Sequence, residues 1–176
     1  FIDADERIGS ELHEEINTII INSRGQEKDG YFIKRKDFMW GTMLKHGETG
    51  NVSLLRLAKR DAGIWMGKVH EVWQVNGKTG EVDNYLLHYP HQSVDEFLRE
   101  INFYSTIRAY ELYENKTKVN SLDALTYPLG KFALNYFLKL GFLDGMGGLI
   151  FSLMMSFHSF LVRSKFWLLW QKTHTS

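Results

Sequence analysis

The chain contains no cysteine, and its charges balance, with 21 Lys and Arg residues against 21 Asp and Glu residues in 176. The absence of cysteine excludes disulfide bonds and thiolate metal sites, so any metal site must use oxygen and imidazole ligands. A formal net charge of zero supplies no overall basic field that would attract a nucleic acid. We therefore expect no nucleic-acid partner.

Several motifs of common enzyme classes are also missing. The sequence has no Gly-rich phosphate loop, no Walker motif, no Gly-x-Ser-x-Gly elbow and no His-Glu-x-x-His zinc motif. Hydrophobic residues make up 44% of the chain and aromatic residues 14%. That composition can bury a substantial core, in one domain or one domain with an appendage.

The first region, residues 1–92, has a mixed pattern that predicts an α/β fold. Short β-rich runs such as Gly30–Ile33 and Tyr85–Tyr89 are separated by polar turns that contain glycine. A helix is predicted from Ser10, where an N-cap residue precedes apolar positions at helical spacing, namely Leu12, Ile16, Ile19 and Ile20. Asn76-Gly77 between strand-like flanks predicts a hairpin turn.

The second region, residues 93–176, is predicted to be helical. Ser93 and Glu96 stand at capping-box spacing and open an amphipathic helix that we expect to end near Glu114. Residues 145–162 carry no titratable side chain except His158. Because a transmembrane helix needs about 20 apolar residues, and glycine and serine dilute this run, shallow or re-entrant insertion is favoured over a span.

Basic and aromatic residues flank this apolar run and suit the lipid headgroup layer. They are Lys131, Lys139, Arg163, Lys165, Phe166, Trp167, Trp170 and Lys172. We expect peripheral or monotopic attachment to a cytoplasmic leaflet. The alternative is a helical hairpin buried against the first region or against a partner chain.

Two carboxylates, Asp3 and Asp5, stand one residue apart where an apolar segment ends. Such oxygen ligands can hold Mg²⁺ or Mn²⁺ while a substrate diphosphate supplies further ligands. His88, after a strand-like run, could add a neutral imidazole to the metal. The alternatives are a turn or helix cap for the carboxylates and simple hydrogen bonding for the histidine. Because the chain opens at Phe1 directly on a strand-like segment, we expect the distal part of a longer protein.

A second polar cluster follows the apolar run that contains Trp65. It holds His70 and Glu71, and the Glu71 carboxylate could act as a general base on an acceptor hydroxyl. A solvated turn or a surface ion pair is the alternative. Arg56, with Lys59 and Arg60, forms a basic cluster suited to phosphate, although a charged turn between strands would have the same sequence.

Taken in order, these segments resemble the inverting family 2 glycosyltransferases, in particular the branch similar to bacterial lipopolysaccharide core β-1,4-glucosyltransferases. The matching segments cover nearly the whole chain. They are Asp3-Ala4-Asp5-Glu6-Arg7, Gly30-Tyr31-Phe32-Ile33-Lys34-Arg35, the block from Arg56 to Glu71, Leu87-His88-Tyr89 and Gly141-Phe142-Leu143-Asp144-Gly145.

The resemblance implies the distal part of a GT-A, Rossmann-like sheet that binds a nucleotide-sugar, followed by amphipathic and apolar C-terminal helices; the nucleotide-binding half of that fold would precede Phe1. Asp5 would contact the Mn²⁺ or Mg²⁺ ion, with Asp3 near the ribose or the metal and His88 as a further ligand. Glu71 would be the catalytic base and Arg56 a phosphate contact.

Trp65 and His70 would then line the acceptor pocket. The expected reaction moves a hexose to a glycolipid or lipopolysaccharide-core acceptor at the cytoplasmic face of a bacterial inner membrane. The alternatives are a noncatalytic membrane-interaction module and a metal-dependent phosphohydrolase.

Overall fold

The computed structural model describes residues 1–22, 28–66, 72–118 and 120–174. The strands are β1 (Glu6–Ile8), β2 (Gly30–Met39), β3 (Thr42–Leu44), β4 (Ser53–Ala58), β5 (Gly63–Met66), β6 (Val72–Val75) and β7 (Thr79–His88). The helices are α1 (Ser10–Asn22), α2 (Val94–Glu114), α3 (Asp123–Ala133) and α4 (Gly145–His174). The architecture is α/β, as predicted.

The chain forms two compact units. One contains Phe1–Phe38 and Thr49–Pro90, and the other contains Met39–Glu48 and His91–Ser176. The expected division after Gln92 separated a catalytic part from a membrane-associating part, and as a division of function it stays a prediction.

The first unit is built on a mixed sheet with β7 between β1 and β2. β1 pairs with β7 in an antiparallel sense, β2 pairs with β7 in a parallel sense, and β4 pairs antiparallel with β2. In this register His88 lies opposite Glu6 on one side and Asp37 on the other. The sheet therefore places one acidic residue on each side of the histidine at the end of β7.

Helix α1 covers this sheet with the apolar stripe that its sequence predicts. Leu12 is fully buried and packs with Ile33, Val82 and Leu86, and Ile16 and Ile19 border the same cluster. Ile20, which the pattern also assigned to the apolar face, is exposed. Burying this stripe stabilises both α1 and the strands beneath it, because apolar area is removed from water on both sides.

The hairpin predicted at Asn76-Gly77 is wrong, although the chain bends at these two residues. β6 pairs with β5 rather than with β7. From Thr79 onward β7 pairs with β2 instead, while Val72–Val75 pair with Gly63–Met66. The Asp29 carboxylate accepts a hydrogen bond from the Lys78 N–H at 3.0 Å and holds the turn in this path.

Helix α2 begins and ends where the sequence predicts. The Ser93 hydroxyl accepts a hydrogen bond from the Glu96 N–H at 3.1 Å, and the Glu96 carboxylate accepts one from Gln92 N–H at 2.8 Å. Its buried stripe includes Ser105 and Ala109, small residues that a search for large apolar side chains does not select. Ala109 packs with Val162 and Phe166 of α4, so small residues here allow close approach of the two helices.

Helix α4 is the long apolar element of the second unit. Among the described residues one helix, Gly141–Thr173, is long and apolar enough to cross a membrane by length and composition, and 28% of its apolar window is buried within the protein. Helix α4 itself follows a π-helical turn, Leu134–Leu138, and a 3₁₀ turn, Gly141–Asp144. Phe151 and Phe166 anchor its inner face in two separate apolar clusters.

Candidate functional site

The ring of His88 lies between two carboxylates of the first unit. Its Nδ1 is 2.8 Å from Asp37 Oδ1, and its Nε2 is 3.2 Å from Asp5 Oδ2. A neutral imidazole donates from one nitrogen only, so hydrogen bonds to both carboxylates require the protonated ring. With its proton on Nδ1, the neutral ring directs the Nε2 lone pair to the side where Asp5 lies.

Asp37 fixes this ring from inside the protein. Its side chain is 1% exposed, and its other partner is Arg35, whose Nε lies 2.9 Å from Asp37 Oδ1. Arg35 and Asp37 share one face of β2 because they are two residues apart on a strand. A buried carboxylate needs charged or donating partners, and here the partners are a guanidinium and an imidazole.

Asp5 is the accessible member of the cluster. Its side chain is 48% exposed, whereas the His88 side chain is 11% exposed. The backbone at this position is held, because the Asp5 carbonyl accepts a hydrogen bond from Tyr89 N–H at 2.8 Å. Asp5 therefore presents a carboxylate to solvent from a fixed point beside the histidine.

A second charged group lies at the same end of β1. The Nη2 atom of Arg56 pairs with the Asp3 carboxylate and, at 2.7 Å, with Glu6 Oε1. The Glu6 side chain is fully buried, and its other oxygen accepts a hydrogen bond from Asp3 N–H at 3.1 Å. Partial burial lowers the pKa of Arg56, but the hydrogen bonds and charges of Glu6 and Asp3 outweigh it and raise the pKa above its ordinary value.

These contacts show which predicted residues the structure brings together. Asp5 and His88 meet, and Asp3 meets Arg56. The side chain of Arg56 contacts carboxylates in this structure. Two participants, Glu6 and Asp37, carried no predicted role. Glu6 is part of the acidic run at residues 3–6 and could have been suspected from it, whereas no local sequence signal identifies Asp37.

The predicted catalytic base and acceptor residues are not placed by the structure. Glu71 and His70 lie outside the described residues. Trp65 lies on β5, with its backbone opposite Trp73 of β6, and its side chain also lies outside the described part. The roles assigned to these three residues stay predictions.

A separate acidic residue organises the second unit. The Asp144 carboxylate accepts hydrogen bonds from the N–H groups of Lys45 and His46, at 2.9 and 2.8 Å, and contacts His46 Nδ1 at 2.7 Å. Asp144 belongs to the Gly141–Gly145 segment of the family resemblance. Its contacts within the described residues tie the 3₁₀ turn to the segment after β3, which is a structural role.

In the first unit, Asp5 and His88 are two adjacent side chains of types that can bind a metal ion. Within the described ranges, no group of three or more His, Asp or Glu side chains has a metal-binding arrangement. Asp5 and His88 do supply an accessible carboxylate beside an imidazole, with Asp3 nearby in sequence. Mg²⁺ and related ions commonly take one or two protein ligands and complete their coordination with water and phosphate oxygens.

No family model matches the chain, and no solved structure matches it. The chain is similar to curated proteins named uncharacterized glycosyltransferase in three Rickettsia species. It is 24% identical over 178 residues to those of Rickettsia prowazekii and Rickettsia typhi, and each match covers 93% of this chain and 60% of the relative. The protein of Rickettsia conorii is 25% identical over 178 residues, with 93% of this chain and 62% of the relative covered.

The chain thus spans about 60% of the length of the curated relatives that it matches. The printed names of these relatives describe them as glycosyltransferases.

Proposed function

We propose that this chain is part of a metal-dependent, inverting family 2 glycosyltransferase with a GT-A fold. It moves a hexose from a nucleotide-sugar to a lipid-linked or lipopolysaccharide-type saccharide. The observation that carries the proposal is the accessible Asp5 carboxylate held beside His88, where β1 begins and β7 ends. The names of the Rickettsia relatives support the same class of reaction.

Asp5 and His88 would hold Mn²⁺ or Mg²⁺, with Asp3 beside them near the nucleotide. A bound divalent ion neutralises the charge that develops on a departing nucleoside diphosphate. Asp37 would position His88, since its buried carboxylate accepts a proton held on Nδ1 and so leaves the Nε2 lone pair directed to the side where Asp5 lies. Removal of such a supporting carboxylate commonly lowers metal affinity about 10- to 100-fold.

Arg56 of β4 contacts Asp3 and Glu6, the acidic residues that flank Asp5 in the sequence. Its Nη2 makes both carboxylate contacts, so Nη1 remains for a donor phosphate, to which a guanidinium is well suited. Through Asp3 and Glu6, Arg56 also holds the backbone before β1. We assign it a donor-binding role that depends on this anchorage.

Glu71 is the proposed base, and Trp65 and His70 the proposed acceptor contacts. The acceptor hydroxyl attacks the anomeric carbon, Glu71 takes the hydroxyl proton, and the bond from that carbon to the diphosphate oxygen breaks. A single displacement of this kind inverts the anomeric centre. The exposed apolar residues of α3 and α4 would keep the reaction at the cytoplasmic face of a bacterial inner membrane, as a peripheral or monotopic protein.

The test is Mn²⁺-dependent binding of a panel of nucleoside diphosphates to the full-length protein, measured by calorimetry. Asp5→Asn should weaken this binding at least about tenfold, because it removes the anionic ligand. Asp61→Asn, the same change at an exposed turn residue, should leave it unchanged. Equal affinity in wild type and Asp5→Asn would refute the proposed donor site.

Asp37→Asn tests the positioning role separately. It should weaken Mn²⁺-dependent binding while also changing the ¹⁵N chemical shifts of the His88 ring, because the tautomer is no longer held. A purely structural role for Asp37 would lower the stability of the protein and leave the ring tautomer unchanged.

Turnover distinguishes the remaining functions. A glycosyltransferase releases an intact nucleoside diphosphate, and Glu71→Gln should keep donor binding while losing turnover. A metal-dependent phosphohydrolase would release inorganic phosphate instead. A noncatalytic membrane module would bind vesicles and show no turnover that depends on Glu71.

A further inference from the structure

A pocket of about 550 Å³ lies between α3 and α4, in the second unit. We call it the α3–α4 pocket. Its polar lining residues are Thr126, Tyr127, Lys131, His158, Ser159 and Arg163. Two of these six side chains, Lys131 and Arg163, are cationic and none is a carboxylate, and the Glu48 carboxylate pairs with Lys131, so Arg163 supplies the unbalanced charge. The lining therefore favours an anion.

The guanidinium of Arg163 is positioned by an aromatic ring. Its central carbon lies 3.6 Å from the centre of the Tyr127 ring, a stacked cation–π arrangement. Stacking uses the flat face of the guanidinium and leaves its N–H groups, which lie in the plane, available for a bidentate oxyanion. Lys131 adds a second charge at the pocket, and Glu48 pairs with it.

His158 supplies a polar group that lacks a protein partner. Its Nε2 atom is buried and makes no hydrogen bond within the described residues. Burial and the charge of Lys131 lower the pKa of His158, so the ring is neutral at pH 7. Buried polar atoms are nearly always hydrogen-bonded, so this nitrogen indicates a missing ligand group or water.

The surroundings indicate what carries the anion. Leu125 and Leu129 of α3 and Phe160 of α4 are large apolar residues exposed beside the lining positions of the two helices. The π-helical turn that begins at Leu134, itself a lining residue, directly follows α3. Irregular turns of this kind are frequent at functional sites.

We propose that the α3–α4 pocket binds the phosphate group of a membrane lipid. Arg163 takes the phosphate oxygens through its N–H groups, and Lys131 contacts the same group. This site shares no residue with the proposed donor site, so either proposal can fail without the other.

Gly130 offers a test that alters no charge. It lines the pocket, and a Cβ added at this position meets nothing within 4 Å. The methionine side chain of Gly130→Met should therefore fill the pocket without disturbing α3. Gly130→Ala is the matched control that leaves the pocket open. Arg163→Gln removes the principal cation, and Lys139→Gln removes an exposed cation outside the pocket.

The measurement is co-flotation of the full chain with phosphatidylcholine vesicles that contain either phosphatidic acid or oleic acid at equal surface charge. Wild type should bind the phosphatidic acid vesicles more tightly. Gly130→Met and Arg163→Gln should each reduce that preference about tenfold, whereas Lys139→Gln should lower binding to both vesicle types by about fivefold or less. Circular dichroism checks that each variant is folded.

A short-chain phosphatidic acid should compete with the vesicles at concentrations where inorganic phosphate does not. Equal competition by inorganic phosphate would overturn the lipid assignment. Equal effects of Arg163→Gln and Lys139→Gln, together with unchanged binding by Gly130→Met, would show only general attraction to negative surfaces and would overturn the pocket.

Discussion

A single polar residue can link two elements of the first unit, and its ionisation state can depend on its hydrogen bonds more than on its burial. Glu15 of α1 is an example. Its Oε1 accepts a hydrogen bond from Asp83 N–H at 2.7 Å, and its Oε2 accepts two from Asn84, each at 2.9 Å. Partial burial raises the pKa of Glu15, but these hydrogen bonds outweigh it and lower the pKa below its ordinary value. The ionised carboxylate therefore holds α1 against β7.

Glu15→Gln should destabilise the protein by about 1–2 kcal/mol at pH 7, because an amide accepts these hydrogen bonds less well than a carboxylate. The folded-state pKa is lowered, so the stabilisation is present above the unfolded pKa and is lost as pH falls below about 4. Urea unfolding from pH 7 to pH 3 should show the difference between wild type and variant shrinking. Glu14→Gln, its exposed neighbour, is the control, and a difference independent of pH would contradict this account.

Residue type and position at strand ends predict part of the candidate site. The pairs Asp5 with His88 and Asp3 with Arg56 come from residues that the sequence already singles out. Asp37 is not among the residues that the sequence singles out, because it meets His88 only through the parallel register of β2 on β7. That register depends on pairing between distant segments, which a local pattern does not contain.

At the scale of elements, local signals predict the helices well and strand partners poorly. The cap at Ser93 and the apolar spacing of α1 are local, and both are confirmed. The Asn76-Gly77 pattern coincides with a bend of the chain. It does not reveal that β7 pairs with β2 and that β6 pairs with β5.

Helix α4 begins against a neighbouring turn at a distance that only glycine allows. A Cβ added at Gly148 would lie 1.9 Å from the Gly141 carbonyl oxygen, a backbone atom that cannot rotate away. Gly148→Ala should therefore separate α4 from the 3₁₀ turn and destabilise the protein by roughly 2–3 kcal/mol.

Gly130→Ala is the matched control for that change, since it replaces a helical glycine in open space and should be neutral or stabilising by up to about 1 kcal/mol. Thermal unfolding followed by circular dichroism measures both variants. Similar melting temperatures for the two would mean that the turn moves aside without cost.

At the scale of the whole molecule, the second unit carries large apolar side chains that its own packing leaves in contact with solvent. Leu138 is 75% exposed and Met146 is 70% exposed, and exposed leucines continue along α3. Extended apolar surface of this kind marks a site for a membrane or for another protein. The sequence predicts the apolar character of these helices, but only the packing shows which of their residues remain uncovered.

We expect the full chain to float with vesicles, and Leu138→Glu combined with Met146→Glu to abolish flotation. Burying each side chain in the bilayer contributes about 1.5–3 kcal/mol, and the variant loses both contributions and adds two charges. Phe103→Glu, at a residue of α2 that is 62% exposed, should leave flotation unchanged. If wild type does not float, and the double variant instead converts an oligomer to a monomer in light scattering, the exposed leucine and methionine contact another protein chain.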